Sequence, residues 1–85
     1  MKAPRLIYDR EWVKGALEEF RIAQAKKEKC TKNLIFNKYE LSHLAYQAPM
    51  SRKEMEALCP TVRPVTVTLY HEQIIEIIKQ GFKKA

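Results

Sequence analysis

Fourteen residues apart, the chain twice runs apolar, polar cap, basic, any residue, Glu, apolar: FNKYEL at residues 36–41 and MSRKEM at residues 50–55. Asn37 and Ser51 can each accept a hydrogen bond from an N–H in the turn that follows. Glu40 and Glu54 stand three residues on, where a carboxylate reaches back to the cap, and Phe36/Leu41 and Met50/Met55 take the N′ and N4 places of a hydrophobic staple. Each cap is worth about 0.5–2 kcal/mol. Pro49 and Pro60 close the two segments, because the residue before a proline is pushed out of the α region. Two stapled helix starts with two proline stops restrict residues 36–60 to short helices and make an all-α chain the expectation.

The flanking segments extend it. Asp9 is an N-cap with Glu11 favourable in the first turn, and Val13, Ala16, Leu17, Phe20 and Ala23 form one apolar stripe, predicting a helix from about 10 to 28 despite Gly15. AKKEKCTKN, residues 25–33, reads as the end of that helix and a basic loop. The helix begun by Asn37 turns Leu41, Leu44, Ala45 and Ala48 inward, and the next has Met55 and Leu58 as its apolar pair. Pro64 at N1 and a Val62/Val67 staple start another helix, although Arg63 is a poor cap. VTVTLY, residues 65–70, alternates like a strand, but with no second strand to pair with it the helical reading is preferred. Ile74, Ile75 and Ile78 form the last stripe, with Lys79 near its end and Gly81 at C′. The expected fold is a single compact bundle of about five helices, with residues 1–8 as an N-terminal arm and residues 9–85 as the domain.

Eighty-five residues, 46% of them hydrophobic, suffice for one core burying about 60% of the unfolded chain's surface, and for no second core. A motor, a polymerase or a two-domain nuclease does not fit. No apolar run approaches the roughly 18–20 residues that span a bilayer, and the first ten residues hold no signal-peptide core. A soluble intracellular protein is expected, nuclear in a eukaryote and cytoplasmic or nucleoid-associated in a bacterium.

The net charge of +6 favours polyanionic partners, nucleic acid before acidic membrane or protein surfaces. Most of the excess lies in residues 21–38, where Arg21, Lys26, Lys27, Lys29, Lys32 and Lys38 oppose the single Glu28. Lysines around a loop and a helix start reach phosphates, while Asn33, Asn37 and Tyr39 can bond or stack on bases. Lys26, Lys27, Lys29, Lys32, Lys38 and Arg63 are the candidate nucleic-acid-binding residues. Cys30, His43, Cys59 and His71 lie eleven or more residues apart, against the close pairs of structural zinc sites. With only two glycines there is no phosphate-cradling loop. No catalytic residue, metal or cofactor is assigned, and the chain is not read as an enzyme.

LEEFRIAQA, LIFNKYELSHLAYQAP, SRKEMEALCPTV and VTLYHEQIIEIIK, taken in that order over residues 17–79, resemble the HRDC domain, the helicase and RNase D C-terminal module. The resemblance implies a non-catalytic accessory domain of a RecQ-type helicase or RNase D-like nuclease, working in DNA repair and recombination. Such a domain binds single-stranded or branched DNA, or RNA, weakly through a basic surface. The alternative is a monomeric interaction module docking on its parent enzyme or a partner. Where the family usually has a glycine-bearing turn before its fourth helix, this chain has CPTVRP, and His71 replaces the glycine usual after Tyr70.

Overall fold

The computed structural model describes residues 6–84. The elements are β1 (Leu6–Tyr8), α1 (Arg10–Glu28), α2 (Lys32–Ile35), α3 (Lys38–Gln47), α4 (Arg52–Leu58), α5 (Pro64–Gln80) and β2 (Phe82–Lys84). The all-α expectation stands: five helices surround one core, and the only sheet among the described residues is the antiparallel pairing of β1 with β2.

Both echoing motifs start helices. Asn37 and Glu40 complete a reciprocal capping box on α3, with Phe36 and Leu41 buried beneath it. Ser51 accepts the Glu54 N–H at 3.1 Å, but the Glu54 carboxylate reaches the N–H of Met50 rather than that of Ser51. Met55 is fully buried while Met50 is substantially exposed, so the second staple is half formed. The chain leaves α3 through Ala48 in the left-handed region at φ 48°, and Pro49 follows.

Four details differ from the expectations. First, α1 buries the i, i+4 row Val13, Leu17, Arg21 and Ala25, leaving Ala23 exposed; the stripe is rotated toward Arg21 because that guanidinium has partners inside. Second, the expected loop after α1 holds the four-residue α2 at its end. Third, α5 is one helix of 17 residues where two had been expected. Its apolar row Val67, Tyr70, Ile74 and Ile78 continues unbroken, and His71 lies mid-helix with its Nδ1 2.8 Å from the Val67 carbonyl oxygen. Fourth, residues 6–8 of the expected arm pair with residues 82–84, and the rest of the arm lies outside the described residues.

That ribbon brings the ends of α1 and α5 together. Tyr8 donates its hydroxyl to the Ala45 carbonyl and packs on Phe82 with the rings tilted by 31° and their centroids 4.7 Å apart, while the Asp9 N–H donates to the Gly81 carbonyl at 2.8 Å. Gly81 ends α5 in a right-handed conformation at φ −74°, so it is not there to supply a positive φ. A Cβ at this position would lie 2.2 Å from Val13 Cγ2, on a β-branched side chain that is fully buried. Gly81→Ala is therefore expected to cost about 1–3 kcal/mol through overpacking, read as a lower melting temperature by circular dichroism.

Candidate nucleic-acid interface

The floor of the candidate site is a buried arginine. Arg21 is 5% exposed; its Nε pairs with Glu18, its Nη1 donates to the Phe36 carbonyl at 3.0 Å, and the same atom reaches Asn33 Oδ1 at 3.4 Å. One α1 side chain thus holds α2 and the start of α3. A guanidinium suits this position because its planar fork serves several acceptors at once. The hydrogen bond from Arg21 holds the Glu18 carboxyl below its ordinary range, and Lys32 adds to the effect against the opposing pull of burial.

A second tie joins α3 to α5. Glu40 is 1% exposed and each of its oxygens accepts twice. Oε1 takes the Asn37 N–H at 2.8 Å and Arg63 Nη2 at 3.1 Å; Oε2 takes the Arg63 N–H at 2.9 Å and Arg63 Nε at 3.3 Å. Arg63 Nη2 also donates to the Asn33 carbonyl at 3.1 Å. The poor cap of α5 is thus explained: Arg63 makes no capping bond of its own, and its backbone N–H is satisfied by a carboxylate from α3.

Between these ties opens a cleft of about 570 Å³, floored by Arg21 and lined by Lys32, Asn33, Asn37, Lys38 and Tyr39. Tyr39 is 72% exposed, and Lys38 Nζ stands 5.6 Å from its ring centroid. Asn33 and Asn37 use their oxygens on Arg21 and on the Glu40 N–H, which leaves their amide NH₂ groups as donors. A planar ring, two amides and two lysines can together hold a base and its flanking phosphates.

Of the six sequence candidates, Lys32 and Lys38 line this cleft. Lys32 also pairs with Glu18 at 3.1 Å across an exposed gap, a contact of the kind worth at most about 1 kcal/mol and readily exchanged for a phosphate. Lys26 and Lys27 occupy the last turn of α1, and Lys29 caps it in the left-handed region at φ 56°. All three are exposed, and there they also complement the helix dipole. Arg63 is engaged with Glu40 and the Asn33 carbonyl. In the sequence Arg21 is one cation among six and Glu40 a cap alone; only the burial of both marks them as the frame of the cleft.

Cys59 is buried, and burial pushes its thiol up to about 11, which leaves it a poor nucleophile. His43 Nδ1 lies 2.6 Å from Thr61 Oγ1. Among the described residues no three His, Cys, Asp or Glu side chains are grouped to hold a metal ion. No residue of the CPTVRP turn has a positive φ, so that turn forms none of the left-handed backbone nests that cradle anions. Among the described residues no helix is long and apolar enough to cross a membrane.

The buried polar side chains of this all-α module are spent on caps and inter-helix ties, and cations, amides and a ring are left at one cleft. Residues 10–78 match the family model of the HRDC domain, and the chain belongs to that family. HRDC domains are non-catalytic accessory domains of helicases and of RNase D. No curated protein and no solved structure gives a match.

Proposed function

We propose that this domain gives a RecQ-type helicase or RNase D-like nuclease a weak grip on single-stranded or branched nucleic acid during DNA repair and recombination. The observation that carries this reading is the cleft at the α2–α3 junction, where exposed Tyr39 stands beside Lys32, Lys38 and two asparagine amides. A base stacks on the Tyr39 ring, the lysines meet the neighbouring phosphates, and the amides bond whichever base edge is presented. Because stacking accepts any base, the grip is nearly sequence-independent. Lys26, Lys27 and Lys29 lengthen the basic track along the end of α1. Arg63 contributes by fixing the cleft wall. The domain works as a monomer, since one copy supplies the whole cleft.

The test is fluorescence anisotropy with a labelled single strand. Affinity should fall with salt at a log–log slope of about −0.7 per phosphate contacted. Tyr39→Ala should cost about 1–3 kcal/mol of binding, and Lys32→Glu/Lys38→Glu should flatten the salt slope while the melting temperature holds. No binding at low salt, or full binding by both variants, overturns the proposal.

A further inference from the structure

The chain has ten acidic residues, and six of them have visible structural work. Asp9 caps α1, Glu18 pairs with Arg21 and Lys32, and Glu28 accepts from Gln24 and Tyr70. Glu40 and Glu54 complete helix starts, and Glu56 pairs with Arg52. The four that remain, Glu11, Glu19, Glu72 and Glu76, make no hydrogen bond or ion pair among the described residues. Glu72 and Glu76 line a cleft where α1 packs on α5, and Glu11 and Glu19 line a second one formed by α1 residues alone.

The larger cleft, about 500 Å³, has Phe20 and Ile77 at its base with Glu72 and Glu76 beside them. The smaller, about 230 Å³, is lined by Glu11, Trp12, Gly15, Ala16 and Glu19. The two have no lining residue in common, so only the larger joins the two helices. The two helices run antiparallel: Gly81 abuts Val13, and Tyr70 meets the Phe20 ring edge-on at 5.9 Å. The larger cleft is thus apolar at its base, where Phe20 of α1 meets Ile77 of α5, and acidic along its α5 rim. Although sixteen of the 85 residues are Lys or Arg, none lines either cleft.

We infer that this larger cleft docks a basic amphipathic segment of a partner protein, its apolar stripe laid over Phe20 and Ile77 and its lysines or arginines set against Glu72 and Glu76. Glu72 and Glu76 are one turn apart on α5, about 6 Å along its axis. A bound helix with cations beside an apolar stripe meets this rim and the apolar base at once. The opposite sign repels nucleic acid, so this face and the lysine cleft serve different partners and the inference stands independently of the nucleic-acid reading.

The test uses the intact 85-residue chain and a synthetic helix-forming peptide of about 15 residues, enough to span about 22 Å, with a leucine stripe flanked by arginines and lysines. Its counterpart carries glutamate at every basic position. In a ¹⁵N NMR titration the basic peptide should shift the amides of Phe20, Glu72, Gln73, Glu76 and Ile77, and the acidic one should shift none. Glu72→Lys/Glu76→Lys, on the solvent face of α5, should weaken the basic peptide about tenfold or more with an unchanged melting temperature, whereas Lys32→Glu/Lys38→Glu should leave it alone. The inference fails if the double reversal changes affinity less than about twofold, if both peptides bind alike, or if the shifts cluster at Lys32 and Lys38. Sedimentation showing a dimer that the Glu72→Lys/Glu76→Lys variant dissolves would assign the cleft to a second copy and overturn it too.

Discussion

Glu40→Ala is expected to lower the melting temperature by roughly 15–25 °C, the consequence of losing about 3–4 kcal/mol in a domain of this size. The carboxylate is buried and accepts four N–H bonds, two of them from the backbone of Asn37 and Arg63. Truncation orphans both backbone donors at the starts of α3 and α5, and each unsatisfied buried donor costs about 1–3 kcal/mol. Glu40→Gln does not rescue the site. Whichever way the amide is turned, its NH₂ faces two N–H donors, so a loss of about 2–3 kcal/mol is expected even though shape is preserved. Urea titration of the two variants beside the parent measures both losses. If Glu40→Gln matches the parent, the carboxylate is not the tie described here. Arg63→Lys makes the companion measurement. It keeps the positive charge but loses the fork that serves Glu40 and the Asn33 carbonyl, so it should lower stability by about 1–2 kcal/mol and leave single-strand affinity within about twofold. A large loss of affinity instead would show Arg63 acting directly on the strand.

What the sequence disclosed was local. The capping residues, the proline stops and the staple of α3 rest on groups within five positions of one another, and residue type alone predicts them. The rest depends on what lies across the core. Arg21 is buried because Phe36, fifteen residues away, presents a carbonyl to it; in a run of six cations nothing local separates it from Lys26 or Lys27. The strand pairing of residues 6–8 with 82–84 joins opposite ends of the chain. The reason Gly81 is glycine is likewise distant, a valine methyl 68 positions away in the sequence. For the candidate site, the segment was legible from its charge and from Asn33, Asn37 and Tyr39, but its division was not. Only the fold puts Lys32 and Lys38 at one cleft, ties Arg63 to Glu40 and the Asn33 carbonyl beside it, and sets Glu72 and Glu76 beside Phe20 and Ile77 at another.

Arg21→Ala is the second large expected effect, about 2–4 kcal/mol of stability. The substitution leaves the buried Phe36 carbonyl without its donor, removes the principal partner of Glu18 and opens a gap under α2. Arg21→Met separates these contributions, because it fills most of the volume while restoring no hydrogen bond; it should recover part of the loss and no more. The pH profile carries an independent mark. The Glu18 carboxyl is lower in the folded protein than in the unfolded chain, so its contribution is fully present above the unfolded pKa and disappears as pH falls through the folded one. Both Arg21 variants should show a shallower loss of stability on acidification between pH ~5 and pH ~3, whereas a packing defect alone would shift the whole curve down without changing its slope. Because Arg21 floors the cleft and positions Asn33, single-strand affinity should fall in both variants even at temperatures where they remain folded. Tyr39 stays exposed in each, so the stacking contribution survives, and a residual affinity that Tyr39→Ala then abolishes would separate the ring from the frame that presents it.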